Sequence, residues 1–175
     1  MPLPAGERTS IAGKALYTPE QRRRRDQSRW TLVQGVLAPL QFVVFLVSLG
    51  LVLRYLATGL GYEAATLSIV AKTLVLYTIM VTGALWERDV FGQYLFAPAF
   101  FWEDAVSFVV IALHTVYLGA ILTGAMSPRG QMLLALAAYA IYLVNAAQFL
   151  LKLRAARLQS QGLSAAPGAA LGGRS

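Results

Sequence analysis

The sequence predicts an all-α integral membrane protein, a bundle of four transmembrane helices with both termini on the cytoplasmic side. Three observations predict it. The 175-residue chain is 57% apolar and only 13% charged, where ordinary soluble chains carry about a quarter of charged residues. The apolar residues are gathered into four blocks, at 30–53, 67–86, 105–123 and 131–151. Each is about 20 residues long, which at about 1.5 Å rise per residue matches a hydrocarbon core of about 30 Å. Finally, an inside N-terminus puts 12 of the 15 Lys and Arg on one side and leaves only Arg54, Lys72 and Arg129 toward the other. That is the positive-inside bias.

The same composition excludes several classes of function. The chain has no cysteine, so disulfides, thiolate metal sites and a cysteine nucleophile are ruled out, and its single histidine rules out a bis-His haem. A net charge of +7 raises the question of nucleic acid. The charge, however, sits where it stops and orients membrane helices, and no nucleic-acid partner is expected. The N-terminus is a poor cleavable signal, because the first apolar run is too long and no small-residue cleavage site follows before Arg54 and Tyr55.

Residues 1–16 lack periodicity and are expected to be disordered. Thr18, Pro19 and Gln21 form a helix start: Thr18 caps, Pro19 suits the first helical position and Gln21 completes a capping box. The helix so begun carries Arg22 to Arg25 and Arg29 along the inner surface, where anionic lipid headgroups attract it, and Trp30 anchors the entry to the first span. Within that span Gln34, Gln41 and Ser48 recur every seven residues. They form a polar stripe that should face the bundle, because lipid offers an amide no partner. Pro39 lies beside the stripe as a candidate kink. The connections at 57–66 and 124–130 are short outer turns by composition. Lys72, five residues into its block, is expected to snorkel outward, and Lys152 to snorkel to the inner headgroups. The tail at 158–175 is expected to be disordered, so residues 17–157 form the single membrane domain.

The informative stretch joins the second and third spans on the inner side. Seven aromatics fall between Trp86 and Trp102, bracketed by four of the eight carboxylates: Glu87, Asp89, Glu103 and Asp104. Pro98 prevents one continuous helix, which suggests a segment lying in the interface. The acids are either a solvated loop balancing Arg88 and the basic termini, or a general acid/base pair. In the second case, aromatic walls at an apolar boundary favour a carboxyl that can donate its proton. The rings are either an interfacial belt or a wall on which a flat ligand stacks. His114 shares a helical face with Ser107 and Glu103; an imidazole at membrane depth is either functional or a neutral hydrogen-bonding group between helices. On the fourth span Tyr142, Asn145, Gln148 and Lys152 share one face, with Asn145 and Gln148 as helix-joining amides or substrate contacts.

Long strings of this chain also resemble a known family. Residues 16–26 (LYTPEQRRRRD), 30–35 (WTLVQG), 71–78 (AKTLVLYT), 96–104 (FAPAFFWED) and 145–152 (NAAQFLLK) are similar to the 2-vinyl bacteriochlorophyllide hydratase family, over roughly Leu16 to Arg157. The resemblance implies a hydro-lyase of the bacterial cytoplasmic or intracytoplasmic photosynthetic membrane. It would add water to the C3-vinyl group of chlorophyllide a or a related chlorin, giving the 3-(1-hydroxyethyl) product on the way to bacteriochlorophyll a. It implies no cofactor, since magnesium belongs to the substrate, and it implies a chlorophyllide-type tetrapyrrole, membrane lipids and other enzymes of the pathway as partners. No residue role comes with it. On the chemistry of hydration, Glu103 or Glu87 is expected as the acid and Asp104 or Asp89 as the group that positions water. His114 is expected as a proton relay or as an axial ligand to the substrate's magnesium, Arg88, Lys152 or Arg154 to meet the propionate, and Phe100, Phe101 and Trp102 to stack on the macrocycle. The competing class is a membrane tetrapyrrole carrier without activity.

Overall fold

In a computed structural model, residues 16–165 are described, with side chains to Leu158. The described chain is all-helical, with five helices: α1 (Pro19–Gln27), α2 (Arg29–Thr58), α3 (Tyr62–Phe91), α4 (Phe101–Thr123) and α5 (Pro128–Ala165). Of the two segments expected to be disordered, 1–15 and 166–175 lie outside the described residues. Residues 158–165 continue α5.

The four long helices are each long and apolar enough to cross a membrane, and each contains one expected span. Many of their large apolar side chains face outward, among them Leu32, Val43, Leu67, Val116 and Leu122. For helices solvated by lipid this is the favourable arrangement.

The capping box at Thr18 is formed as the sequence predicts. Thr18 Oγ1 accepts from the Gln21 backbone N–H, and the Gln21 side chain accepts from the Thr18 N–H. Ser28 separates α1 from α2 and caps the latter by accepting from the Trp30 N–H. Pro39 lies within α2 without ending it. The turn from α2 to α3 uses only three residues, 59–61, and both Gly59 and Gly61 have left-handed backbones that a side chain would strain.

Helices α2 and α3 pack closely as one antiparallel hairpin, and α4 and α5 as another, with thinner seams between the hairpins. The seams carry polar links. Ser48 on α2 bonds Tyr139 on α5 at 2.5 Å, and within its own hairpin it bonds Ser68 on α3 at 2.8 Å. Tyr62 donates to Gln131 at 2.5 Å. The stripe on α2 faces inward as expected: Gln34 donates to Thr82, and Gln41 and Ser48 are buried. The main core centres on Phe45, Val52, Ile69, Val110, Tyr117 and Tyr139. A second cluster closes the end where α3 meets α4, built on Tyr17, Val90 and Phe100 with Trp86, Phe91 and Phe149 around them. Tyr17 stacks on Phe91 there and pins α1 to the bundle.

Two lysines depart from expectation. Lys72 does not snorkel: it is 0% exposed, and its Nζ lies 4.1 Å from the ring centre of Tyr142, 5.0 Å from that of Tyr139 and 5.9 Å from that of Phe45. Rings from two other helices supply the cation–π faces that replace headgroup solvation. Lys152 does not run out to the headgroups either. Its ammonium turns back toward α4, onto Glu103 and the carbonyl of Ala99.

Candidate active site

Three of the four candidate catalytic residues meet at the end of the bundle where α3 hands over to α4. Helix α3 runs on to Phe91 and stops at Gly92, whose left-handed backbone caps it through an N–H bond to the Arg88 carbonyl. Helix α4 begins at Phe101, so its first turn carries Glu103 and Asp104 directly opposite the last turns of α3, which carry Glu87. Glu87, Glu103 and Asp104 are all buried.

Backbone N–H groups of the connecting loop hold two of these acids. Ala97 donates to Glu87 Oε2 at 3.1 Å and Phe96 donates to Asp104 Oδ2 at 2.7 Å. Two consecutive N–H groups can aim at two carboxyls because the chain turns sharply at Phe96, the one non-glycine residue with positive φ (59°) among the described residues. A left-handed phenylalanine costs about 1–3 kcal/mol and persists where its surroundings hold it. Here the two carboxylates do so, together with the Phe96 ring, which lies over Phe108 at 5.4 Å.

The carboxyls of Glu87 and Asp104 stand against each other, and Glu103 lies close enough to both to act on them by charge. Two carboxyls bond to each other only through a shared proton. Glu103 has a different partner: its Oε2 is 2.5 Å from Lys152 Nζ. The mouth therefore combines a carboxyl pair suited to holding a proton with a carboxylate held in an ion pair. Beside it lies an open cleft of about 380 Å³ lined by Leu16, Glu103, Gln148, Leu151, Lys152, Ala155 and Ala156.

His114 does not join this group. It is ten residues beyond Asp104 on α4, about 15 Å along the axis, and is 1% exposed. Its Nδ1 lies 2.8 Å from the Val110 carbonyl, which can only accept, so Nδ1 carries the hydrogen and Nε2 is the acceptor. Lys72 Nζ sits on that acceptor at 3.2 Å. The nitrogen expected to bind magnesium is thus enclosed and already engaged by Lys72. Asp89 also leaves the group: it is exposed and accepts from Ser28 Oγ at 2.7 Å, tying α3 to the start of α2.

The candidate substrate contacts divide. Phe100 belongs to the core rather than to a stacking wall, at 2% exposed with Trp86, Phe91, Tyr17 and Phe149 around it. Phe101 and Trp102 remain outward, Trp102 at 70%. Arg88 is exposed and lies over the Tyr94 ring, donating to its hydroxyl at 2.6 Å, and Arg154 is exposed. Asn145 donates to Ser107 at 2.7 Å, but among the described residues its Oδ1 has no partner, and neither has Gln148 Oε1. Sequence reasoning missed the Glu103–Lys152 pair and the role of Phe96. The first brings together residues 49 positions apart on different helices, and the second is a backbone conformation with no sequence signature for a phenylalanine.

Known proteins resemble this chain closely. A family model described as 2-vinyl bacteriochlorophyllide hydratase matches residues 17–155. A 2-vinyl bacteriochlorophyllide hydratase from Cereibacter sphaeroides is 70% identical over 149 residues, covering 85% of this chain and 92% of that protein. One from Rhodobacter capsulatus is 69% identical over 147 residues, covering 84% and 85%. No solved structure matches.

Proposed function

Because this chain belongs to the 2-vinyl bacteriochlorophyllide hydratase family, we propose that it is the hydro-lyase that adds water to the C3-vinyl group of chlorophyllide a or a closely related chlorin. Its product is the 3-(1-hydroxyethyl) pigment of bacteriochlorophyll biosynthesis. The observation that carries the chemistry is the buried group of three carboxyls and one ammonium beside the Gln148 cleft.

The Glu87–Asp104 pair gives its shared proton to the terminal vinyl carbon, which becomes a methyl group. The adjacent carbon is left as a cation that the macrocycle delocalises. Glu103, held as an anion by Lys152, stabilises that cation by charge and takes a proton from the water whose oxygen bonds to it. The proton then passes from Glu103 to the neighbouring Glu87–Asp104 pair, and the site is reset with one water consumed. The macrocycle lies at the membrane surface against Phe101 and Trp102, with Arg88 or Arg154 meeting its propionate.

Residues 17–157 form the catalytic unit. Both termini lie in the cytoplasm by the positive-inside bias, so the acids face that side of the cytoplasmic or intracytoplasmic membrane, where other enzymes of the pathway supply and receive the pigment.

Glu87→Gln and Asp104→Asn are expected to lower hydration of chlorophyllide a by about 10²–10⁴-fold with pigment binding retained, measured by absorption and mass. Full turnover in both variants would remove the carboxyl pair from the mechanism. Labelling of Cys introduced at position 93 from the periplasmic side would overturn the topology.

A further inference from the structure

Four buried side-chain atoms in this half of the bundle meet no hydrogen-bonding group of the described protein: Gln41 Nε2 and Oε1, Asn145 Oδ1 and Gln148 Oε1. Two further unpaired atoms, Thr66 Oγ1 and Tyr117 Oη, lie toward the opposite end of the bundle. The four are not scattered. Gln148 lines the cleft beside Glu103 and lies one turn inside Lys152 on α5, with Asn145 about 4.5 Å further in. Gln41 lies one turn, about 6 Å, before Phe45 on α2. Phe45 touches Tyr142, three residues before Asn145, with ring centres 4.9 Å apart, so Gln41 and Asn145 occupy the same level. Below them, further from the acids, the rings of Phe45, Tyr139 and Tyr142 around Lys72 close the bundle.

A buried amide without a partner costs about 1–3 kcal/mol, and polar groups so placed are usually satisfied by ordered water. Here the unpaired atoms descend from the proposed acid site to a closed aromatic floor. A flat macrocycle laid over the mouth would seal the cleft from bulk water, while the cation formed beneath it needs a water molecule at once.

We propose that Gln148, Asn145 and Gln41 hold a short file of water behind Glu103 and feed from it the molecule that is added to the vinyl group. The inference rests on the reading of the cleft given above. Gln41 is a positioning residue in it: it touches neither pigment nor acid, and it orients water through both amide atoms.

The test follows the fate of the cation. In D2O, a cation that meets water promptly becomes product. One that waits loses a proton back to the site and returns as vinyl pigment carrying deuterium on its terminal carbon. With the full chain in nanodiscs and chlorophyllide a as substrate, Gln41→Met is expected to lower hydration about tenfold, a loss equivalent to one hydrogen-bonded contact, and to raise deuterium in recovered substrate relative to product several-fold. Gln41→Asn, which keeps the amide, should restore part of both. Asn145→Leu should move the ratio the same way. A lower rate with an unchanged ratio, or no change in either variant, overturns the file.

Hydroxyl-radical footprinting of the unaltered protein is independent of how the variants fold. Tyr142 and Phe45, at the end of the file, should label faster than Tyr117 beyond the aromatic floor, and equal labelling overturns the proposal. Glu103→Gln separates this inference from its premise: full hydration in that variant removes the cleft chemistry, and the footprint still reports whether water lies along Gln41.

Discussion

Replacing Lys152 by methionine tests the energetic core of the site. The ammonium is 2.5 Å from Glu103 Oε2, with the lysine side chain 25% and the glutamate side chain 6% exposed. It also donates to the Ala99 carbonyl and lies 5.0 Å from the ring centre of Phe100. Methionine keeps most of the apolar stem but removes the charge and both hydrogen bonds. Breaking a buried pair from one side costs about 3–5 kcal/mol. Lys152 is partly solvated, which places the expected loss at the lower end, about 3 kcal/mol, or about 150-fold in the folding constant. Much of that is the penalty of leaving Glu103 charged beside two other carboxyls. Glu103→Gln in the Lys152→Met background should therefore recover about half of it. The assay is reversible unfolding in mixed SDS micelles followed by circular dichroism, run as a double-mutant cycle. A coupling energy below about 0.5 kcal/mol would show that the pair is a surface contact, and the assignment of Glu103 as the standing carboxylate would fall with it.

Other expectations follow from single contacts. Lys72→Met should cost about 1–2 kcal/mol, since it leaves the buried His114 Nε2 without its donor; no loss in the same unfolding assay would mean that the Lys72–His114 bond does not hold the hairpins together. His114→Ala should leave pigment binding intact, and loss of binding restored by added imidazole would reinstate magnesium ligation. Phe96→Gly should be less destabilising than Phe96→Ala by about 1 kcal/mol, the reverse of the usual order, because only glycine relieves the left-handed backbone. Ser48→Ala should cost about 1–2 kcal/mol by stripping Tyr139 of its buried partner.

Much of this molecule follows from its order of residues. Block length and hydropathy mark out four spans, Thr18 to Gln21 set the start of α1, and the seven-residue spacing of Gln34, Gln41 and Ser48 puts them on one inward face. Such features are local: a helix's own periodicity says which residues share a side, and lipid rejects unsatisfied polar groups whatever the neighbour is. The gathering of Glu87, Glu103 and Asp104 at one end was legible for the same reason, since the short stretch that joins their helices keeps them at one depth.

What tertiary structure alone decided is which partner each polar group meets. Lys72 is caged instead of snorkelling because Tyr139, Tyr142 and Phe45 arrive from α5 and α2. Lys152 meets Glu103, Asp89 is taken by Ser28, and Phe100 is enclosed where Phe101 and Trp102 are not. Periodicity gives the face of a helix but not the rotation of its neighbours about it. Inside a bundle solvated by lipid, that rotation determines whether an ionisable side chain becomes an acid, a counter-ion or a structural link.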